Sequence, residues 1–122
     1  MKVKTSELQG AALDWAVAHC LGHTVAENYG SYIRIHLTDP KQAGYTLAFC
    51  PSTDWAQGGP IIERECIAIS CLHITGYTPN TWTARRPQRC SEDGPTPLIA
   101  AMRAYVASKL GDEVELPEEL NQ

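Results

Sequence analysis

The stretch from residue 51 to residue 64, Pro-Ser-Thr-Asp-Trp-Ala-Gln-Gly-Gly-Pro-Ile-Ile-Glu-Arg, combines residue types that recognise a small anionic or nucleotide-like ligand. Its hydroxyl and amide side chains can donate hydrogen bonds, and its adjacent glycines let backbone N–H groups approach a ligand closely. The tryptophan offers a face for stacking, and the arginine a bidentate fork for an oxyanion. A short helix starting at Pro60 would direct its positive end to the same place. The candidate ligand-binding residues are Ser52, Thr53, Asp54, Trp55, Gln57, Gly58, Gly59 and Arg64.

The same stretch also fits a structural turn in which Trp55 fills the core. It lacks the G-x-x-x-x-G-K-[ST] pattern of a phosphate-binding loop. Ser-Thr-Asp before a tryptophan is typical of a helix cap or an Asx-turn. The sequence therefore leaves a pocket and a turn as alternatives.

No combination of side chains predicts a catalytic centre. Ser52, Asp54 and a histidine can be drawn as a triad, but nothing in their spacing marks a nucleophile elbow. None of the five cysteines lies in a recognisable nucleophile motif. We therefore assign no catalytic residue, expect no cofactor and expect a protein that is not an enzyme.

Two sets of histidine and cysteine residues could be considered as metal ligands. One is His19, Cys20 and His23, and the other is Cys66, Cys71 and His73. Gly22 ends the predicted helix before the first set is complete, and strand alternation puts the first member of the second set on the opposite face. The chain contains no Cys-x-x-Cys pair, so we predict no metal site.

Basic side chains cluster after a predicted strand that begins with Thr81 and Trp82. Arg85, Arg86 and Arg89 could bind phosphate or an acidic partner. They equally fit a solvated loop, and the sequence does not decide between these alternatives.

Length and composition predict a single small domain that needs no metal or disulfide to build a core. The chain has 122 residues, of which 43% are hydrophobic and 20% charged. Five cysteines are an odd number, and the basic start is not followed by an apolar run typical of a signal peptide. We therefore expect reduced thiols, a cytoplasmic location and no membrane partner.

The net charge of −4 is unevenly distributed. Residues 112–122 carry five carboxylates and no Lys or Arg, which leaves the rest of the chain at +1. This contrast predicts a domain over residues 1–111 and an acidic tail over residues 112–122. Without a basic face, binding to duplex DNA is not expected.

Hydrophobic spacing predicts an α+β fold, with a small antiparallel sheet of about four strands packed against N-terminal and C-terminal helices. The first helix runs from Ser6 to Leu21, with a capping box from Ser6 to Gln9 and a stop at Gly22. The last begins with Thr96 as cap and Pro97 in first position, and ends at Gly111. The predicted strands cover residues 32–37, 45–49, 67–74 and 81–85, and the first two form a hairpin. Between and after the last two strands we predict a turn at 76–80 and a loop at 86–95. Exposed sheet edges also favour a homo-oligomer.

Three blocks of sequence resemble the NinX-like proteins encoded in the nin region of lambdoid bacteriophages. They are Ser6-Glu7-Leu8 with Ala12 to Ala18, the loop Pro51 to Pro60, and Thr96 to Arg103 with Tyr105 to Lys109. The resemblance implies a phage or prophage protein made in the cytoplasm of a bacterial host. It implies no catalytic or binding residues, because the family brings no established activity.

Three functions of different classes are compatible with these features. The preferred one is a non-enzymatic accessory protein that sequesters a nucleotide-like signal, for example one used in antiviral defence. The alternatives are a protein-interaction module that modifies a host enzyme or repair complex, and a weak nucleotide-processing enzyme.

Overall fold

Over the described residues the fold combines three α-helices with eight short strands, which confirms the predicted α+β class. The computed structural model describes residues 1–37, 40–42, 44–71, 81–86 and 90–120. The helices are α1 (Gly10–Leu21), α2 (Trp55–Arg64) and α3 (Pro97–Leu110). The strands are β1 (Lys2–Lys4), β2 (Val25–Asn28), β3 (Ile33–His36), β4 (Thr46–Phe49), β5 (Ala68–Cys71), β6 (Trp82–Arg85), β7 (Ser91–Gly94) and β8 (Glu113–Glu115). Single 3-10 turns cover Thr5–Glu7, Pro40–Gln42 and Glu118–Leu120.

The strands form three small antiparallel sheets in place of the single four-stranded sheet that was predicted. Their orders are β1-β8, β2-β3-β4 and β5-β6-β7. The predicted hairpin is confirmed by the pairing of Ile33 with Phe49, and β5 pairs with β6 as its alternation suggested. The predicted loop at 86–95 is wrong over Ser91–Gly94, which pairs with β6. Its Ser-Glu-Asp-Gly sequence has low strand propensity, so the sheet and α3 impose its extended conformation.

Helix α1 begins four residues later than predicted. Gln9 is its N-cap and makes no side-chain cap bond, while Ser6 is exposed in the preceding 3-10 turn. The predicted capping box is therefore wrong. Leu8 is fully buried and Thr5 Oγ1 donates to Gly111 O at 2.6 Å, so packing at the other end of the chain sets this entry into the helix. The predicted stop at Gly22 is confirmed by its left-handed conformation.

Helix α3 is the centre of the fold. It contacts α1, α2, β8 and every strand of the β5-β6-β7 sheet, and residues 100–106 are all buried. Its predicted start is confirmed, because Thr96 Oγ1 accepts from Ile99 N–H at 3.1 Å and Pro97 follows. A helix covered on almost all sides fixes the position of any group that lies along it.

The acidic C-terminal segment belongs to the packed fold as far as residue 120. Strand β8 pairs with β1, and Val114, Leu116 and Leu120 are buried. The predicted division between a domain at 1–111 and a tail at 112–122 therefore differs from the structure. Alternation explains the difference, because Glu113 and Glu115 lie outward while the apolar residues between and after them lie inward.

Several predicted features lie outside the described residues. These are the end of the third predicted strand at 72–74, the turn at 76–80, residues 87–89 and residues 121–122. In the described part of the chain, no helix combines the length and apolar character that a membrane crossing requires.

Candidate functional site

The loop after β4 leads into α2 through an aspartate cap. Asp54 Oδ1 accepts from the N–H of Ala56 at 2.9 Å, and the helix begins at Trp55. The predicted start at Pro60 is therefore wrong, since Pro60 is the sixth residue of the helix. An N-terminal cap at Asp54 explains the difference, because it provides the acceptor that the first turn needs. The carbonyl that Pro60 leaves without a helical partner belongs to the exposed Ala56.

The two glycines are part of this helix and do not form a ligand cradle. Gly58 N–H donates to Asp54 O at 2.8 Å. This N–H group is therefore not available to a ligand, contrary to the prediction. Gly58 is buried, and a Cβ atom there would meet Pro51 O and Leu98 Cδ2. Gly59 is its neighbour in the helix and has open space around its Cα. Gly58 is therefore required for α2 to pack closely against α3.

Gln57 and Arg64 lie away from the other candidate residues. The amide of Gln57 accepts from Cys50 N–H at 2.6 Å and donates to Ala48 O at 2.8 Å, which holds the loop to β4. Arg64 is at the opposite end of α2, about 13 Å from Trp55 along the helix axis. Its Nε donates to Glu65 at 2.9 Å. The structure does not place either side chain beside Ser52.

Ser52, Thr53 and Trp55 are brought together at a small cavity, which we call the Ser52 cavity. It has a volume of about 220 Å³ and is completed by the first residues of α3, Thr96–Ile99. The N-terminal ends of α2 and α3 thus border one cavity. Among the described residues, the backbone N–H groups of Trp55 and Leu98 have no hydrogen-bond partner. Such first-turn N–H groups carry the positive end of the helix dipole.

The hydroxyl of Ser52 is an unpartnered polar group in the wall of this cavity. Ser52 is 1% exposed, and its Oγ makes no hydrogen bond of good geometry in the described part of the chain, although its side chain lies close enough to the Asp14 carboxylate to lower the pKa of that group. Leaving a buried hydroxyl unpaired costs about 1–3 kcal/mol. Trp55, in contrast, is 55% exposed and presents its indole at the rim. The cavity therefore combines an unsatisfied polar wall with an accessible aromatic face.

Two carboxylates, those of Asp14 and Asp54, lie close to the cavity and contribute negative charge. Ser52 N–H donates to Asp14 Oδ1 at 2.9 Å. Burial raises the pKa of Asp14 from 3.8 to about 6, and outweighs the contacts with Ser52 that lower it. Burial, followed by the charges of Asp14 and Asp54, also raises the pKa of the Cys50 thiol. Among the described residues no Lys or Arg lines the cavity, so the helix ends are the source of positive potential that the structure shows there.

The contribution of α3 to this site was not predicted. Thr96 and Pro97 mark the start of the helix in the sequence, and that start was assigned only a capping role. The signal for a site would be two capped helix starts, at Asp54 and Thr96. Their meeting at one cavity depends on tertiary packing of α2 against α3.

A second and larger cavity is lined by the residues just before α3 and by Arg103 within it. We call it the Arg103 cavity; its volume is about 620 Å³ and it is lined by Ser6, Thr81, Ser91–Pro95 and Arg103. Arg103 is 9% exposed, its Nε donates to Leu8 O at 2.7 Å and its Nη1 donates to Asp93 O at 2.8 Å. This residue was not predicted as functional. Its signal in the sequence is a charged residue with apolar neighbours on both sides in the middle of the helix.

The predicted arginine cluster is divided by the structure. Arg86 Nη2 bonds to Glu65 at 2.8 Å and Nη1 donates to Ser108 Oγ at 2.6 Å, while its guanidinium lies over the ring of Tyr105. Its charge is therefore matched within the fold. Arg85 is exposed on β6, and Arg89 lies outside the described residues.

The histidines that were considered as metal ligands contact aromatic rings. His19 stacks on Trp15 with ring centroids 5.3 Å apart, and His23 meets Phe49 edge-on at 5.5 Å. His73 lies outside the described residues. Over the part of the chain that the structure describes, no group of three or more His, Cys, Asp or Glu side chains is arranged to hold a metal ion.

Comparison with known proteins identifies the family. The model of the family described as Bacteriophage P22, NinX matches residues 4–109, which is most of the chain and includes both cavities. No curated protein matches the chain. The resemblance seen in the three sequence blocks is thereby confirmed, and the chain belongs to the NinX family of bacteriophage proteins.

Proposed function

We propose that this phage accessory protein is a non-enzymatic binder of a small anionic, nucleotide-like ligand, which it holds at the Ser52 cavity. One observation carries the proposal. The N-terminal ends of two helices, an unpartnered buried hydroxyl and an exposed indole all border the same cavity. Acting in the cytoplasm of the bacterial host, such a protein would sequester a nucleotide-like signal, and antiviral defence is a process that uses such signals.

The dimensions of the cavity favour recognition of a single phosphate group. Its volume of about 220 Å³ is below the roughly 300–1,000 Å³ typical of sites for drug-sized ligands. A phosphate oxygen can accept from the N–H groups of Trp55 and Leu98 and from the hydroxyl of Ser52. The base would then stack outside the cavity on Trp55, where a base–aromatic contact contributes about 1–3 kcal/mol.

The charge of the site favours a phosphodiester over a polyphosphate. Asp54 caps α2, and Asp14 lies beneath Ser52, so two carboxylates are close to the anion. Helix ends supply only about half an elementary charge each. A monoanionic phosphodiester is balanced by two such ends, whereas the charges of a triphosphate are not. We therefore expect a cyclic nucleotide or cyclic dinucleotide to bind more tightly than ATP.

The proposal is tested by calorimetric titration with cyclic di-AMP, ADP-ribose, ATP and inorganic phosphate. Trp55→Ala removes the stacking face and should weaken binding of cyclic di-AMP by about tenfold or more. Tyr45→Ala is the matched control, because Tyr45 is an exposed aromatic residue that does not line the cavity. It should leave the affinity unchanged.

Ser52→Ala separates a binding role from a structural one. It removes a buried hydroxyl that makes no hydrogen bond of good geometry, so the free energy of unfolding should change by no more than about 1 kcal/mol. Affinity for cyclic di-AMP should nevertheless fall by about tenfold, the value of one lost hydrogen bond. If none of the four probes binds, or if both variants bind as tightly as the wild type, the site assignment is wrong.

Weak nucleotide processing is a second candidate, supported by the environment of Asp14. A carboxyl group whose pKa is about 6 next to a serine hydroxyl resembles a base beside a nucleophile. Under this alternative, Asp14→Asn would abolish turnover of cyclic di-AMP and leave its binding intact. An unchanged probe after prolonged incubation with the wild type would eliminate it.

We also propose that the protein forms a homo-oligomer through the β2-β3-β4 sheet. Tyr45 and Leu47 are exposed on and beside β4, an edge strand of this sheet, and Tyr29 and Tyr32 are exposed beside β2 and β3. Exposed apolar residues on or beside an edge strand are typical of self-association. Light scattering after gel filtration should give a mass above the 13.4 kDa of one chain, and Leu47→Lys should reduce it to that value.

A further inference from the structure

The guanidinium of Arg103 is held in place but not neutralised. Both of its hydrogen bonds go to backbone carbonyls, of Leu8 and Asp93, which carry no net charge. No ion pair of Arg103 occurs in the described part of the chain, and its Nη2 makes no hydrogen bond to another described residue. A buried charge normally has a partner, because taking it out of water is costly. Among the described residues, the oriented guanidinium of Arg103 has no ion-pair partner.

Two carboxylates share the cavity with this cation. Glu92 is half-buried and Asp93 is exposed, and both line the Arg103 cavity. Burial raises the pKa of Glu92, while Arg103 lowers it and Asp112 and Asp93 raise it further. Burial also lowers the pKa of Arg103, and the charge of Glu92 opposes that shift. The cation and Glu92 thus interact through space without forming an ion pair.

We propose that the Arg103 cavity binds a zwitterionic small molecule, with its carboxylate on Arg103 and its ammonium group beside Glu92 and Asp93. An inorganic phosphate or other simple anion would be repelled by the two carboxylates. A simple cation would be repelled by the guanidinium. A molecule that carries both charges, such as an amino acid or a short peptide, can pair its carboxylate with Arg103 and its ammonium group with Glu92 and Asp93 at the same time.

The remaining surface of the cavity suits the polar body of such a ligand. Hydroxyl-bearing residues, Ser6, Thr81 and Ser91, make up much of the lining. The volume of about 620 Å³ falls within the range of roughly 300–1,000 Å³ seen in small-molecule sites. A planar guanidinium fixed at two positions presents the fork geometry that a carboxylate recognises.

Nuclear magnetic resonance titration of the arginine Nε–H signals tests this proposal directly. The probes are glycylglycine, N-acetylglycylglycine, which lacks the ammonium group, glycylglycinamide, which lacks the carboxylate, and inorganic phosphate. Glycylglycine should shift the Nε–H signal of Arg103 and bind at least about tenfold more tightly than the other three, the value of one charge-assisted contact. L-Glutamine, titrated in parallel, distinguishes a free amino acid from a peptide as the source of the zwitterion.

Two variants separate the roles of the opposite charges. Arg103→Lys keeps the positive charge and loses the fork, so affinity for glycylglycine should fall at least about tenfold. Arg85→Lys, the same change at an exposed arginine outside the cavity, should have no effect. Glu92→Gln should lower the affinity for glycylglycine by about tenfold. The affinity for N-acetylglycylglycine should stay the same or rise. Glu92 is half-buried, and its side chain makes no hydrogen bond or ion pair with another described residue, so this variant tests the site even if Arg103→Lys does not fold.

Three results would overturn the zwitterion assignment. One is an Arg103 Nε–H signal that no probe shifts at millimolar concentration. Another is equal affinity for glycylglycine and N-acetylglycylglycine, which would indicate a simple anion site. The third is tightest binding by inorganic phosphate.

Discussion

The Ser52 cavity and the Arg103 cavity both border α3, yet they acquire their positive potential in different ways. The positive potential of the Ser52 cavity comes from the backbone ends of α2 and α3, and no basic side chain is among its described lining residues. The positive potential of the Arg103 cavity comes from the guanidinium of Arg103, a buried residue of α3. Helix ends supply partial charges without a buried ion, whereas a buried guanidinium needs an ordered set of acceptors. The Ser52 cavity should therefore depend on how helices pack, and the Arg103 cavity on individual hydrogen bonds.

The largest expected effect is on the Arg103 side. Arg103→Ala removes two hydrogen bonds that tie α3 to Leu8 and Asp93 and leaves a space in the fold, so the free energy of unfolding should fall by about 3 kcal/mol or more. Urea denaturation followed by circular dichroism measures it. Arg85→Ala, at an exposed arginine, is the control and should change stability by no more than about 0.5 kcal/mol. A similarly small effect at Arg103 would show that its bonds do not hold this cavity together.

The next prediction tests whether the Ser52 cavity depends on close packing of α2 against α3. Gly58→Ala places a methyl group against Pro51 and Leu98 and should destabilise the fold by about 2 kcal/mol. Gly59→Ala meets nothing within 4 Å in the same helix and should stabilise it by up to about 1 kcal/mol. Thermal unfolding of the two variants provides the test. Equal effects of the two substitutions would contradict close packing of α2 on α3.

The smallest effect concerns the carboxylate beneath the Ser52 cavity. Because burial raises the pKa of Asp14 from 3.8 to about 6, the folded state holds its proton more tightly than the unfolded state. Its contribution therefore favours folding below pH 4 and is lost as the pH rises from about 4 to 6. Between pH 4.5 and pH 7 this amounts to about 1–2 kcal/mol.

Asp14→Asn isolates that contribution, since asparagine keeps an oxygen that can accept from Ser52 N–H and does not titrate. The difference in unfolding free energy between wild type and variant should shift by about 1–2 kcal/mol in favour of the variant between pH 4.5 and pH 7. Urea titrations at the two pH values measure it. A difference that does not vary with pH would mean that Asp14 titrates normally in the folded protein.

Elements with strong local patterns were predicted well. The cap and first proline of α3, its end at Gly111 and the alternation in β3 are local features, and the structure has them where they were expected. Of the candidate ligand-binding residues, Ser52, Thr53 and Trp55 line one cavity, and their role in binding stays a prediction. Gln57, Gly58 and Arg64 are not placed there, because α2 starts at Trp55 and carries them away from its N-terminal end.

Elements that depend on distant partners were missed. Strands β1 and β8 are each three residues long, and neither has a pattern that identifies a strand until the two chain ends pair. Strand β7 likewise consists of residues typical of turns, and it is extended because β6 and α3 hold it. In the same way, the charge count over residues 112–122 obscured the alternation that buries Val114 and Leu116.

Local sequence was sufficient to determine the α+β class, the capped ends of α3 and the family, because caps, periodicity and motifs act over a few residues. Only tertiary packing decided which helix ends meet at Ser52 and where the charge of Arg103 lies. The reason is physical: an N–H group or a guanidinium becomes a binding group when the surrounding fold removes its other partners, and no local pattern encodes that removal.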